Sequence, residues 1–128
     1  MPYTKPIRFG PWLRDYLSDG GEHYANEVYH AYKRAHRLAY QTWYEESNIP
    51  VSKRQIHKQM GRTTFINYLW FLRKLQWIAY VPDPSEPDGI RKQRSISPTG
   101  GERLLFTITP EGMAGDWTDI RRSYEDTL

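Results

Sequence analysis

Between Glu22 and Glu46 the chain has no glycine or proline. Apolar side chains fall there at Ala25, Val28, Tyr29, Tyr32, Ala35, Ala39 and Trp43. Spacings of three and four residues put them on one helical stripe. A helix over residues 22–46 would span about 37 Å at 1.5 Å per residue. A second row, Tyr24, His36, Tyr40 and Tyr44, makes it aromatic on more than one face. That pattern predicts burial on two sides, a second subunit being one way to supply it.

The flanking pattern is shorter and more punctuated. Pro2, Pro6, Gly10, Pro11, Gly20 and Gly21 mark residues 1–21 as an extended arm with one short helix, Pro11 to Ser18. Pro11 suits a first helical turn, where its missing N–H is harmless. Asn48-Ile49-Pro50 ends the long helix. Ser52 and Gln55 then fit a capping box. A short helix is expected from Ser52 to Met60, with Ile56 and Met60 inward and Gly61 as its closing C′ glycine. Thr63 or Thr64 would cap a third helix to about Leu75, with Phe65, Leu69 and Leu72 inside and Ile66 and Leu75 at the flanks. Trp77 to Val81 reads as a strand. Pro82 to Gly89 is a loop. Arg94–Ser97 and Arg103–Ile108 read as a hairpin around Pro98-Thr99-Gly100-Gly101. Thr109-Pro110-Glu111 opens a last helix running through Trp117 and Ile120 towards Tyr124.

The chain has 128 residues, which predicts one domain over residues 22–128 behind the 1–21 arm. It has no cysteine, which removes disulfides, thiolate metal sites and thiol nucleophiles. Aromatics at 15% argue against disorder. No apolar run approaches the roughly 18 residues of a membrane span. The first residues lack a signal-peptide apolar segment. The expected setting is the cytoplasm, or the nucleoid of a prokaryote.

Charge is distributed unevenly. Residues 1–46 carry six basic and six acidic side chains. Residues 47–82 carry six basic ones, Lys53, Arg54, Lys58, Arg62, Arg73 and Lys74, and no acid. Residues 111–128 are acidic, five against two. Solvated faces usually mix both signs, so an acid-free block fits a polyanion-binding face.

Helix, helix, glycine turn, helix, strand, hairpin and helix is the order of a winged helix-turn-helix. Thr64-Phe65-Ile66-Asn67-Tyr68-Leu69-Trp70-Phe71-Leu72-Arg73-Lys74-Leu75-Gln76-Trp77-Ile78 resembles the T-V-x-x-x-L-x-x-L-x-x-x-G-L-I pattern of MarR-like and PadR-like regulators. Gln76 stands where that pattern has glycine. Phe106-Thr107-Ile108-Thr109-Pro110-Glu111-Gly112 resembles their Y-x-L-T-x-E-G, which ends the wing. The resemblance covers residues 47–112. It implies an α+β winged-helix domain (helix-turn-helix about 52–75, wing about 77–109, C-terminal helix about 110–125) behind a long N-terminal helix. The implied function is sequence-specific binding of double-stranded DNA by a transcription regulator.

A helical projection of the third helix puts Thr63, Asn67, Trp70 and Lys74 opposite its inner stripe. Asn67 suits an adenine edge, Arg62 a guanine, and Thr63 and Thr64 a phosphate or a thymine methyl. Lys53, Arg54 and Lys58 would approach the backbone from the second helix. Arg91, Lys92, Arg94 and Arg103 would populate the wing. Trp70 and Phe71 are large apolar groups beside that polar face. Such groups need a cover, either the long first helix or a partner protein. The second option is the alternative reading, a winged helix that contacts protein in a larger assembly. A homodimer through residues 22–46 and 113–125 would place two third helices about one DNA turn apart.

Other chemistry finds little support. His23 and His30 share a face but lack a converging third ligand, so a surface or structural role is expected for them and for His36 and His57. Glu45-Glu46 is a helix end. No phosphate-cradling glycine loop or nucleophile elbow is present. Neither an enzyme nor a cofactor is expected.

Overall fold

The long uninterrupted run folds as its periodicity predicts. In a computed structural model, which describes residues 5–94 and 102–128, helix α1 (Phe9–Leu17) leads to α2 (Ala25–Glu46). The C-terminus of α2 follows from local sequence. After Ser47, Asn48 adopts a left-handed φ of 56°. Its N–H donates to the Glu45 carbonyl at 3.1 Å, and Ile49 N–H donates to that of Tyr44 at 3.1 Å. This paired closure satisfies the last carbonyls, and asparagine tolerates the conformation.

The second helix expected over 52–60 does not form. Val51–Lys53 makes a single 3-10 turn, after which Arg54 is extended. Residues 54–61 run as a strap beside α2 without helix or strand. Its backbone amides find side chains of α2 instead of helical carbonyls. Gln55 N–H donates to the Tyr44 hydroxyl at 3.1 Å, and Met60 N–H to that of Tyr32 at 3.2 Å. The Tyr29 hydroxyl donates to the Met60 carbonyl at 3.1 Å, and the Gln59 amide to that of Lys33 at 2.8 Å. A helix this short is marginal by itself, so the strap's bonds to α2 decide its conformation. Gly61 therefore closes no helix. Its φ is −72°, and it is the N-cap of α3 (Arg62–Lys74), which begins ahead of both threonines expected to cap it.

Helix α3 closes as α2 does. Gln76 has φ 62°. Gln76 N–H donates to Arg73 and Trp77 N–H to Leu72, both at 3.0 Å. Strand β1 (Ile78–Tyr80) then pairs antiparallel with β4 (Phe106–Ile108), Ala79 opposite Thr107. Strands β2 (Lys92–Arg94) and β3 (Glu102–Leu104) form a second antiparallel pair, Gln93 opposite Arg103. The chain switches partners at Leu105, whose N–H goes to Arg91 and whose carbonyl receives Val81 N–H. The expected hairpin tip, Pro98 to Gly101, and most of the expected strand Arg94–Ser97 lie outside the described residues.

The last helix is broken rather than continuous. Helix α4 (Pro110–Ala114) starts as expected, with the Thr109 hydroxyl accepting from Gly112 N–H at 3.0 Å. Gly115 is extended. A 3-10 turn at Trp117–Asp119 and helix α5 (Ile120–Glu125) follow. Asp116 and Asp119 accept from the N–H groups of Thr118 and Arg122, so each short piece carries its own cap. The break brings both Trp117 and Ile120 into the core. Trp117 Nε1 donates to the Gly112 carbonyl at 2.7 Å. A Cβ on Gly112 would collide with the Trp77 carbonyl, which explains a glycine after Thr109-Pro110-Glu111.

The core gathers Leu13 and Leu17 of α1, Val28 of α2, Phe65, Leu69 and Leu72 of α3, Ile78, Phe106, Trp117 and Ile120. The three α3 residues are those its periodicity predicted. Each buried large side chain contributes about 1.5–3 kcal/mol. The fold is mixed α and β, with five α-helices and two small antiparallel strand pairs among the described residues. No helix among them is long and apolar enough to cross a membrane.

Candidate nucleic-acid interface

Helix α3 buries one stripe and leaves its flanks to line clefts. Arg62, Ile66 and Arg73 share the flank about 60–100° round from Phe65. Together with Tyr24–Asn26 at the start of α2, and with Tyr80 and Arg103 on the strands, they enclose a furrow of about 300 Å³. A second cleft of about 550 Å³ shares Arg73, Ile78 and Tyr80 with it and adds Trp70 and Lys74. The two run on from one another along α3.

Three arginines point their charge at this furrow, each supported by an aromatic ring. Arg62 lies 5.9 Å from the Tyr29 ring centroid, Arg73 5.1 Å from that of Tyr80, and Arg103 4.9 Å from that of Tyr24. Arg62 Nη1 also donates to Asn26 Oδ1 at 2.8 Å. None of the three forms an ion pair with a described carboxylate. Rings hold a guanidinium in place without neutralising it. The furrow wall does include Glu102, but Arg94 holds that carboxylate at 2.9 Å.

The stripe expected to face a ligand is exposed. Thr63, Thr64 and Asn67 are open to solvent, as is Lys74, whose ammonium lies 5.4 Å from the Trp70 ring centroid. Arg62 and Arg103 join them at the furrow. Sequence reasoning missed Arg73, which belongs to the Arg62 stripe and was visible at that spacing.

Two groups of expected site residues lie elsewhere. Lys53, Arg54 and Lys58 belong to the 3-10 turn and strap, not to a second helix. They line clefts around α2, away from the furrow. Arg54 is spent locally, its Nε donating to the Ile49 carbonyl at 3.0 Å. Among the hairpin cations, Arg91 pairs with Glu22 at 2.6 Å. Lys92, with a side chain 8% exposed, lies 2.6 Å from Asp88 and 3.7 Å from Glu86. Arg94 pairs with Glu86 and Glu102. The hydrogen bond from Lys92 holds Asp88 below the usual carboxylate range and pushes Lys92 itself up. Arg91, Lys92 and Arg94 thus brace the 83–91 loop against the hairpin and expose little uncompensated charge.

Trp70 and Phe71 meet the C-terminal helix rather than α2. Tyr124 of α5 lies 5.2 Å from Trp70 and 5.0 Å from Phe71, ring to ring. Phe71 is half-buried, while Trp70 stays 39% exposed.

The histidines are held by other contacts. His23 Nδ1 lies 2.7 Å from Glu27, and its Nε2 lies 3.3 Å from Asp19. The Tyr16 hydroxyl donates to the same Glu27 at 2.6 Å, and burial first, then Glu27, pushes that phenol up to about 12. His23 also exchanges two backbone hydrogen bonds with Phe106, so this cluster clasps the turn before α2 to β4. His57 stacks on Tyr40 at 4.0 Å. Among the described residues no three His, Cys, Asp or Glu side chains converge as a metal site. No family model, curated protein or solved structure matches this chain.

Proposed function

We propose that the chain binds double-stranded DNA as a transcription regulator, with α3 in the major groove and the β2–β3 hairpin as a wing on the adjacent backbone. The observation that carries this reading is the furrow. Arg62, Arg73 and Arg103 bring three uncompensated, ring-supported guanidinium groups to one edge of α3, beside the exposed polar stripe Thr63, Asn67 and Lys74. Guanidinium groups reach phosphates and guanine edges, and Asn67 suits an adenine. An acid-free helix face does not repel the duplex. The strap in place of a second helix means that register on the backbone rests on Arg103 of the hairpin and on Arg62, and not on a helix-turn-helix pair.

The test is fluorescence anisotropy with a labelled random 30-base-pair duplex, titrated from 50 to 300 mM salt. Micromolar binding that collapses with salt is expected, because each phosphate contact releases counterions. Binding that is absent even at 50 mM overturns the reading. One observation favours the alternative of a protein-contact module: Ile66 and Trp70 on α3 are 42% and 39% exposed. An apolar protein contact would change little with salt.

A homodimer through residues 22–46 and 113–125 is part of the same proposal. The strap already covers part of the aromatic face of α2, and Tyr124 is packed on Trp70 and Phe71 of α3, leaving such side chains as Leu38, 63% exposed, for a second copy. Sedimentation at micromolar concentration decides it.

A further inference from the structure

On the flank of α3 opposite the arginine furrow, Tyr68 helps line a separate cavity of about 390 Å³. Its walls come from the segment before α1, from α2, from the strap and from the 3-10 turn at Trp117. Three cations reach it, Lys5, Arg8 and Lys58, against a single acid, Asp119. Asp119 is occupied as the cap of α5. Lys5 and Lys58 form no ion pair among the described residues.

The feature that points to a ligand is His36. It is only 7% exposed, yet it makes no hydrogen bond to any described residue. Its ring is flanked by those of Tyr32 and Tyr40 instead, at 5.8 and 4.8 Å. Among the described residues no buried side-chain polar atom lacks a partner, so its nitrogens reach open space. The space beside it is this cavity and the cleft across the strap, and Lys58 and Tyr40 line both. Burial disfavours the charged imidazole, and so does the neighbouring His57. A neutral ring still carries one N–H donor, and an adjacent anion would favour its protonated form.

We propose that the cavity between α1, α2 and the strap binds a small anion bearing a planar ring, with its phosphate or carboxylate group on Lys58 and His36 and its ring against Tyr40 and Tyr68. Charge selects the anion: three cations line the site and the one acid is engaged. The aromatic walls select the ring, and the volume admits a molecule of nucleotide size and excludes a duplex. The cavity and the furrow share no lining residue, so the contacts proposed here use none of the furrow arginines.

Isothermal titration of the full chain with AMP and with benzoate tests this, adenosine and benzamide serving as uncharged controls. Saturable binding of either anion, at least tenfold tighter than its uncharged control, is expected. AMP alone would indicate a phosphate ligand, and benzoate alone a carboxylate. Lys58→Met, at an exposed position, should weaken binding about tenfold through loss of one charge-assisted hydrogen bond. Between pH 7.5 and 6 wild-type affinity should rise relative to that of His36→Gln, a comparison in which the titration of the AMP phosphate itself cancels. The proposal is overturned if neither anion binds, if the uncharged controls bind equally, or if Lys58→Met binds like wild type. It is also overturned if Arg73→Ala removes AMP binding while Lys58→Met retains it, since the anion would then sit in the furrow.

Discussion

The hydroxyl of Tyr44 lies 2.6 Å from Nε2 of His57 and also accepts the N–H of Gln55. One tyrosine near the end of α2 therefore pins the first residues of the strap that replaces a second helix, as Tyr32 and Tyr29 pin its end. Tyr44→Phe keeps the ring and removes both bonds, leaving a half-buried amide without its partner. The expected loss is about 1–2 kcal/mol of stability, read as a lower midpoint in urea denaturation. An unchanged midpoint would show that the strap is held by its other contacts.

Gln76 bears a left-handed backbone at the end of α3, at the position where the resembled regulators carry glycine. A side chain there costs about 1–2 kcal/mol in the left-handed region, and glycine does not incur that cost. Gln76→Gly should therefore stabilise the fold by about 1 kcal/mol, the gain being offset in part by the freer unfolded chain. Asn48→Gly should gain less, because asparagine already tolerates the conformation. Thermal melts of the two variants give the comparison, and a lower melting temperature for Gln76→Gly would contradict the assignment.

How much was legible before the structure follows from where each residue's partners lie. Helix α2, the inner stripe of α3 and the Thr109 cap depend on neighbours within a turn or two, so periodicity conveys the first two and the Thr109-Pro110-Glu111 motif the third. The strap depends on partners 11, 28 and 31 residues away, on Tyr44, Tyr32 and Tyr29. Its capping-box sequence was a true local preference overridden by those distant hydroxyls. The break after Ala114 was visible in Gly115-Asp116, but the apolar spacing of Trp117 and Ile120 argued for continuity. At the candidate site, Arg62 and Arg103 were found and Arg73 was missed, although it shares the stripe of Arg62. Arg91, Lys92 and Arg94 belong to the expected wing, but their pairing with Asp83, Glu86 and Asp88 depends on a loop whose fold back onto the hairpin no pattern of spacing conveys. Arg91 also reaches Glu22, 69 residues away.

His36 couples stability to pH. Burial, and secondarily the charge of His57, lowers its affinity for a proton in the folded state. Lys58 and Lys5 line the same cavity and add like charge to that environment. A depressed histidine means that the unfolded chain binds the proton more readily. Stability is then full above the unfolded value of about 6.5, and it is lost progressively as pH falls from there through the folded value. Melting temperatures should decline from pH 7.5 to 5.5, and His36→Gln should flatten that decline. An equal decline in the variant would place the titrating group elsewhere.

The furrow makes a sharper demand on nucleic-acid binding than net charge does. If Arg73 and Arg103 each contact a phosphate, Arg73→Ala with Arg103→Ala should weaken binding to every duplex alike. It should also reduce the slope of log affinity against log salt by about 2, near 1 per contact. Asn67→Ala should behave differently, costing about 1–3 kcal/mol on a preferred sequence and little on a random one. Trp70→Ala should leave the salt slope intact if DNA is the partner, because its ring touches Phe71, Tyr124 and the Lys74 ammonium and carries no charge of its own. Anisotropy titrations at four salt concentrations on these variants separate the cases. A double arginine variant with the wild-type slope would mean that the furrow does not hold the phosphates, and a loss of binding confined to Trp70→Ala would move the contact to an apolar protein partner.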